Sequence, residues 1–107
     1  IPELLRVVYG NSSLLFLIDL NMSNKFYYVY VLLSLKDNKF YIGSTNDLKR
    51  RLKEHQSGKN VSTSKRLPLK LIYFEGHLSK KDAQRRERYF KTTKGKVTLR
   101  IIIKDSH

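Results

Sequence analysis

The chain has 107 residues, enough for one modest hydrophobic core but not for two. Lysine and arginine outnumber aspartate and glutamate by 22 to 9, a formal charge of +13, and the resulting field attracts polyanions, with nucleic acid or an anionic membrane as natural partners. No cysteine is present, which excludes a disulfide framework and a thiolate metal site and leaves a reducing cytoplasm as the default compartment.

The longest apolar stretch, Leu14 to Leu20, is interrupted by Asp19 and is far shorter than the roughly 20 residues that span a bilayer, so no transmembrane segment is expected. A secretory leader would want a basic start and a small-residue cleavage site, whereas Arg6 stands alone and Asn21-Met22-Ser23-Asn24 follows. Residues 1–21 are slightly acidic, with Arg6 against Glu3 and Asp19. The basic charge therefore belongs to the remainder, which begins at the chain's single methionine, Met22. Residues 1–24 are accordingly read as an extension separable from a domain at 25–107.

Phe26 to Leu35 is aromatic and β-branched, predicting a strand, and Lys39 to Gly43 predicts a second, with Lys36-Asp37-Asn38-Lys39 as the turn. A four-residue loop pairs Leu35 with Phe40. That register puts Tyr27, Val29, Val31, Leu33, Leu35, Phe40 and Ile42 on a core face, and Tyr28, Tyr30, Leu32, Ser34, Tyr41 and Gly43 on a more polar one. Asn46 or Thr45 is positioned to cap a helix reaching about Ser57, with Gly58 as its stop. Residues 58–68 lack periodicity and read as a loop, and Leu69 to Phe74 or slightly beyond reads as a third strand. Ser79-x-x-Asp82 resembles a capping box that opens a helix to about Lys91, buried through Ala83 and Phe90. Residues 97–103 are β-branched like a strand but follow a segment able to open a helix, and the pattern does not decide between them.

Asp47, Arg51 and His55 are spaced four apart along one line of the first helix, beside the Leu48/Leu52 stripe. In the second helix, Ala83, Glu87 and Phe90 put a carboxylate into a stripe that should be apolar. Either a salt bridge to Arg51 or another cation explains it, or a hard cation such as Mg²⁺, which takes oxygen ligands and often binds through only one or two carboxylates plus substrate phosphates. Tyr30 and Tyr41, on one sheet face, are either packing residues or phenols whose ionised form a nearby cation favours. The basic residues of the two helices and the joining loop are ready phosphate contacts: Lys49, Arg50, Lys53, Lys65, Arg66, Arg85, Arg86 and Lys94. Such contacts give strongly salt-dependent, weakly sequence-specific binding.

Tyr28-Val29-Tyr30, followed eleven positions after Tyr30 by the unbroken run from Tyr41-Ile42-Gly43 through Arg51 to His55, resembles the signature of the GIY-YIG nuclease family across roughly residues 26–95. The opening glycine of the family name is Tyr28 here, a pattern similar to small stand-alone bacterial members. The resemblance implies an α+β domain with a three-stranded antiparallel sheet flanked by helices. It implies one divalent cation, Mg²⁺ or Mn²⁺, held by Glu87 and the scissile phosphate. Tyr30 and Tyr41 would orient or deprotonate the attacking water, Arg51 would stabilise charge on the phosphoryl oxygens, His55 would assist by hydrogen bonding or proton transfer, and Gly43 would be structural. The activity implied is an endonuclease on DNA of low sequence specificity, selective for branched or damaged forms and so suited to repair or recombination. Larger relatives carry a separate targeting domain, and none follows here, so nucleic-acid shape, homodimerisation or a partner protein is expected to select the site. Two other readings stand beside it: a non-catalytic basic nucleic-acid-binding module that keeps the fold, and a ribosome-associated RNA-binding protein.

Overall fold

The computed structural model describes residues 4–8 and 26–106. In chain order the elements are β1 (Leu4–Val8), β2 (Tyr27–Ser34), β3 (Phe40–Thr45), α1 (Leu48–Gln56), β4 (Leu69–His77), α2 (Lys80–Phe90) and α3 (Thr93–Ile102). β2, β3 and β4 form the expected three-stranded antiparallel sheet, and β1 adds to the outer side of β4, giving the order β1-β4-β2-β3. β3 is thus an edge strand. The Leu14–Leu20 stretch and most of the expected extension lie outside the described residues. No helix among the described residues is long and apolar enough to cross a membrane.

The β2–β3 register differs from the expected one by two residues: Leu33, not Leu35, pairs with Phe40. The cause is Ser34, whose hydroxyl accepts from the backbone of Lys36 and Asp37 and starts the turn early. Asn38 takes the left-handed conformation (φ 59°) that its short polar side chain tolerates. Leu35 is consequently 58% exposed and leaves the core. A shift of two preserves which face each side chain occupies, so the rest of the two-face division stands.

The face expected to be the more polar one is a second core. Tyr28, Tyr30 and Leu32 are buried beneath Leu48 and Leu52 of α1, together with Leu69, Leu71 and Phe74. On the other face Val29, Val31, Leu33 and Ile42 pack with Tyr73, Ala83, Phe90, Leu99 and Ile103. β2 is paired on both sides and covered on both faces, which is why its sequence is a near-continuous apolar run rather than an alternating one.

Asp47, not Thr45 or Asn46, caps α1 by accepting from Arg50 N, because Thr45 Oγ1 is taken by Asp47 N. Gly58, at φ 79°, follows the C-terminal cap in the conformation expected of a helix stop. Ser79 caps α2 through Asp82 N, as the sequence predicts. Residues 97–103 are resolved as helix through Ile102: Thr92 accepts from Gly95 N to open α3, and Leu99 and Ile103, four apart, bury one side of it.

β4 carries a buried carboxylate that the sequence did not flag. Glu75 is fully buried, accepts from the Tyr73 hydroxyl at 2.6 Å and from Arg86 Nε at 2.8 Å, and lies 3.0 Å from His77 Nε2. The Arg86 guanidinium also sits 4.3 Å over the Phe90 ring. Removing one partner of a buried pair strands the other charge, whereas a surface pair such as Arg85 with Asp82 is screened by water. In urea unfolding, Arg86→Ala is expected to cost about 3–5 kcal/mol and Arg85→Ala less than about 1 kcal/mol; equal losses would show that the Glu75 pair adds nothing particular to the fold.

Candidate active site around the edge strand

Side chains alternate across β3, so Tyr41 joins the α1 face while Ile42 and Ser44 face α2. Gly43 pairs with Tyr30, and a Cβ built at Gly43 would stand 2.5 Å from the Tyr30 hydroxyl oxygen. The phenol occupies the space that any side chain at position 43 would need.

Three fully buried groups form a chain beneath α1. The Tyr30 hydroxyl lies 2.8 Å from His55 Nε2, and His55 Nδ1 lies 2.7 Å from Thr63 Oγ1. Tyr41, half-buried, packs edge-on against His55 with ring centroids 5.0 Å apart. Burial, and after it the Arg51 charge, lowers the pKa of His55, with Glu54 opposing. The imidazole is therefore neutral at pH 7 and carries one N–H. Burial, reinforced by Tyr41 and Glu87 and opposed by Arg51, raises the pKa of Tyr30 far above that of a free phenol. With Arg51 donating to its oxygen, the protonated phenol is placed to donate to Nε2; in that arrangement the single imidazole proton sits on Nδ1 and is donated to Thr63 Oγ1.

Arg51 lines a hollow of about 330 Å³ together with Ser44, Thr45, Asn46, Lys80 and Gln84. Its Nε is within ion-pair reach of Glu54 Oε1, at 3.2 Å, but is not aligned for a hydrogen bond; it is a buried N–H without an acceptor among the described residues. The Glu54 pair holds the guanidinium at the wall of the hollow, where its charge favours an anion entering there.

Glu87 reaches β3 from the opposite sheet face. It accepts from Ser44 Oγ at 2.5 Å and from Lys91 Nζ at 2.8 Å. Burial works against its ionisation, but the hydrogen bonds from Lys91 and Ser44 and the charges of Lys91 and Arg88 prevail, and its pKa is lowered. Of the two explanations for a carboxylate in this stripe, the ion pair is present, with Lys91 rather than Arg51 as the cation. The group stays ionised and partly accessible, as an oxygen donor to a hard cation must be. No cluster of three His, Asp or Glu side chains able to hold a metal occurs among the described residues, so any ion here would depend on Glu87 plus oxygens from substrate and water.

The basic residues differ in exposure and in partners. Lys53, Lys65 and Lys94 are exposed, and Lys49 is half-buried. Arg50 pairs with Asp47 and Glu54, and Arg85 with Asp82, all at the surface. Arg86 is committed to Glu75, as described. Arg66 bonds Asp37 at 2.7 Å and the carbonyls of Lys39 and Phe40, clamping the loop after α1 to the hairpin; this pairing holds the Asp37 carboxyl down at about 2.

Sequence reasoning missed Thr63 and Ser44. Thr63 sits in a non-periodic polar loop that gives no signal. Ser44 was recoverable, because it follows Ile42 by two and therefore shares its face with α2.

Residues 26–100 match the family model of the GIY-YIG catalytic domain. The chain is 48% identical over 68 residues to a UPF0213 protein of Streptococcus pneumoniae, covering 63% of this chain and 68% of that one. It is 49% identical over 73 residues to a UPF0213 protein of Limosilactobacillus reuteri, covering 65% and 75%, and 43% identical over 70 residues to the UPF0213 protein YazA of Bacillus subtilis, covering 64% and 68%. No solved structure gives a significant match.

The hydrogen-bonded chain predicts a spectroscopic signature. In ¹⁵N NMR, His55 of the unaltered protein should show the Nδ1–H tautomer. Thr63→Val, which removes the acceptor at nearly constant volume, should mix the tautomers, while Thr63→Ser should restore the single form. An Nε2–H tautomer in the unaltered protein would overturn the assignment.

Proposed function

The chain belongs to the GIY-YIG family, and from that premise we propose that it is an endonuclease hydrolysing phosphodiester bonds in DNA, with one Mg²⁺ or Mn²⁺ and little sequence preference. The observation that carries this reading is the pairing of a buried phenol–imidazole–hydroxyl chain with an arginine that lines the adjoining hollow. A folding core alone does not call for either feature.

Glu87 would hold the cation, and its ionised, partly exposed carboxylate suits that task. When bound, a divalent ion supplies Lewis-acid polarisation of a phosphoryl oxygen. The remaining chemistry falls to the chain. Arg51 donates to a non-bridging phosphoryl oxygen and gains strength as negative charge builds there, because the guanidinium is already fixed and partly desolvated. Tyr30 is not a resident phenolate, since burial holds its proton in place. It acts as a relay: its oxygen takes a proton from the attacking water as its own proton passes to His55 Nε2. Thr63 keeps Nε2 free to accept, and Tyr41 packs the imidazole in position. Exposed lysines such as Lys53, Lys65 and Lys94 attract the backbone without reading bases. Choice of target then comes from nucleic-acid shape, dimerisation or a partner, a pattern that suits repair or recombination.

A second reading is a binding module without turnover. It is favoured by one observation: both Glu87 oxygens are engaged, by Ser44 and by Lys91. Cleavage of supercoiled DNA separates the two. Arg51→Ala and Glu87→Ala are each expected to slow nicking by roughly 10²–10³-fold, with thermal unfolding and DNA binding changed little. Nicking by Glu87→Ala at the unaltered rate would remove the metal assignment, and absence of metal-dependent nicking by the unaltered chain would favour the module. The residues assigned to chemistry lie between Tyr30 and Glu87, so residues 25–107 alone are expected to cleave as the full chain does.

The reading also fixes a pH dependence. The neutral form of His55, which accepts the proton, exists above its pKa and is lost as pH falls through it. Because that pKa is lowered, cleavage should hold down to pH 6.5, the ordinary histidine value, and decline only below it. A decline centred above pH 7 would contradict the proposed role.

A further inference from the structure

A second groove lies on the α2/α3 side of the sheet. About 720 Å³ in volume, it runs between the tip of the β2–β3 hairpin and α3. Phe40, Ile42 and Leu99 form its floor, Lys39 rises on the hairpin wall, and Lys96, Arg100 and Lys104 rise on the other. No carboxylate among the described residues pairs with any of these four cations. All four are exposed.

We propose that this groove is a second nucleic-acid subsite that holds a single strand continuing away from the scissile phosphate. The proposal rests on the nucleic-acid reading above but not on turnover. Three observations support it. Lys96 and Arg100 are four residues apart on one helix face, a rise of about 6 Å, and Lys104, just past the end of the helix, lines the same groove. Cations about 6 Å apart meet roughly every second phosphate of a strand whose phosphates recur every 3.4 Å or so, as along one strand of a duplex. The groove is also continuous with the site: Ile42 of its floor and Ser44, which holds Glu87, are two positions apart on the same face of β3, roughly 7 Å. Finally, the apolar groups lie at the bottom and the cations at the rims. That arrangement fits sugars and bases below and phosphates beside them.

An anionic membrane is the competing polyanion. It would need apolar groups that protrude, and α3 does expose Val97 and Ile101. Each follows a groove cation by one residue, so both turn about 100° away from the wall of the groove. The concave surface, with its floor sunk between two basic walls, is the wrong shape for a bilayer and the right one for a strand.

The test uses the full chain with metal chelated, so that cleavage plays no part. Binding of a fluorescent oligothymidine strand is followed by anisotropy across a salt series, and binding to phosphatidylserine vesicles by flotation. The triple change Lys96→Gln, Arg100→Gln and Lys104→Gln is compared with Lys70→Gln, an exposed lysine of β4 outside the groove. The triple variant is expected to bind the strand at least about tenfold more weakly, with a salt dependence shallower by about 2 in log–log slope, near 0.7 for each phosphate no longer neutralised; Lys70→Gln should match the unaltered protein. If the triple variant fails to fold, Lys39→Gln on the opposite wall should still lose about 0.7 of slope. An unchanged slope overturns the subsite, as does a loss confined to vesicle binding. A chain that binds the strand in this way yet never cleaves DNA would refute the nuclease reading and leave the groove standing.

Discussion

The hydrogen bond between the Tyr30 hydroxyl and His55 Nε2 ties the fold to the chemistry. It joins the central strand to the first helix at buried positions, and each group satisfies a polar atom of the other. Several otherwise separate features follow from it. Position 43 is glycine because the phenol lies against it, and the loop after α1 folds inward because Thr63 must meet the far nitrogen of the ring. The same burial that keeps the phenol protonated keeps the imidazole neutral. The pair is thereby poised as donor and acceptor rather than as two charges.

The second constraint is geometric. A strand presents alternate side chains to opposite faces, so a site that draws on both faces is most readily assembled at the edge of a sheet, where nothing separates them. β3 is such an edge. Tyr41 and the glycine over which Tyr30 lies serve the α1 side, and Ser44 reaches through to Glu87 on the α2 side. The Glu87 charge registers at the Tyr30 hydroxyl, where it disfavours ionisation. Arg51 lines the hollow that adjoins this end of the strand, together with Lys80 from the start of α2. The groove along Phe40 and Ile42 continues the same edge in the other direction.

Much of this was legible in the sequence, for identifiable reasons. The two faces of the hairpin survived a wrong register because the error was an even number of residues; an odd slip would have exchanged every side chain. Ser79 caps its helix as expected through Asp82 N, while Thr45 does not cap because its hydroxyl is recruited one step earlier, by Asp47 N. Glu87 stood out because a charge in an apolar stripe is anomalous at helical spacing. Glu75 did not, because a single carboxylate in a strand pattern looks like an outward-facing residue until Tyr73 and Arg86 are seen around it. The tail was undecidable locally, since its helix is settled by the burial of Leu99 and Ile103 against the sheet and α2, a tertiary matter. Arg66 and Arg86 resemble their basic neighbours in sequence, and only long-range partners, Asp37 and Glu75, distinguish them.

The relay is most directly tested by deleting one oxygen atom. Single-turnover cleavage of supercoiled DNA by Tyr30→Phe, compared with the unaltered chain at pH 7.5 or so in saturating Mg²⁺, isolates the hydroxyl from the ring that packs the core. The account predicts a loss of roughly 10²–10⁴-fold with thermal unfolding nearly unchanged. Cleavage at the unaltered rate would mean that the Tyr30–His55 bond is a structural contact and nothing more.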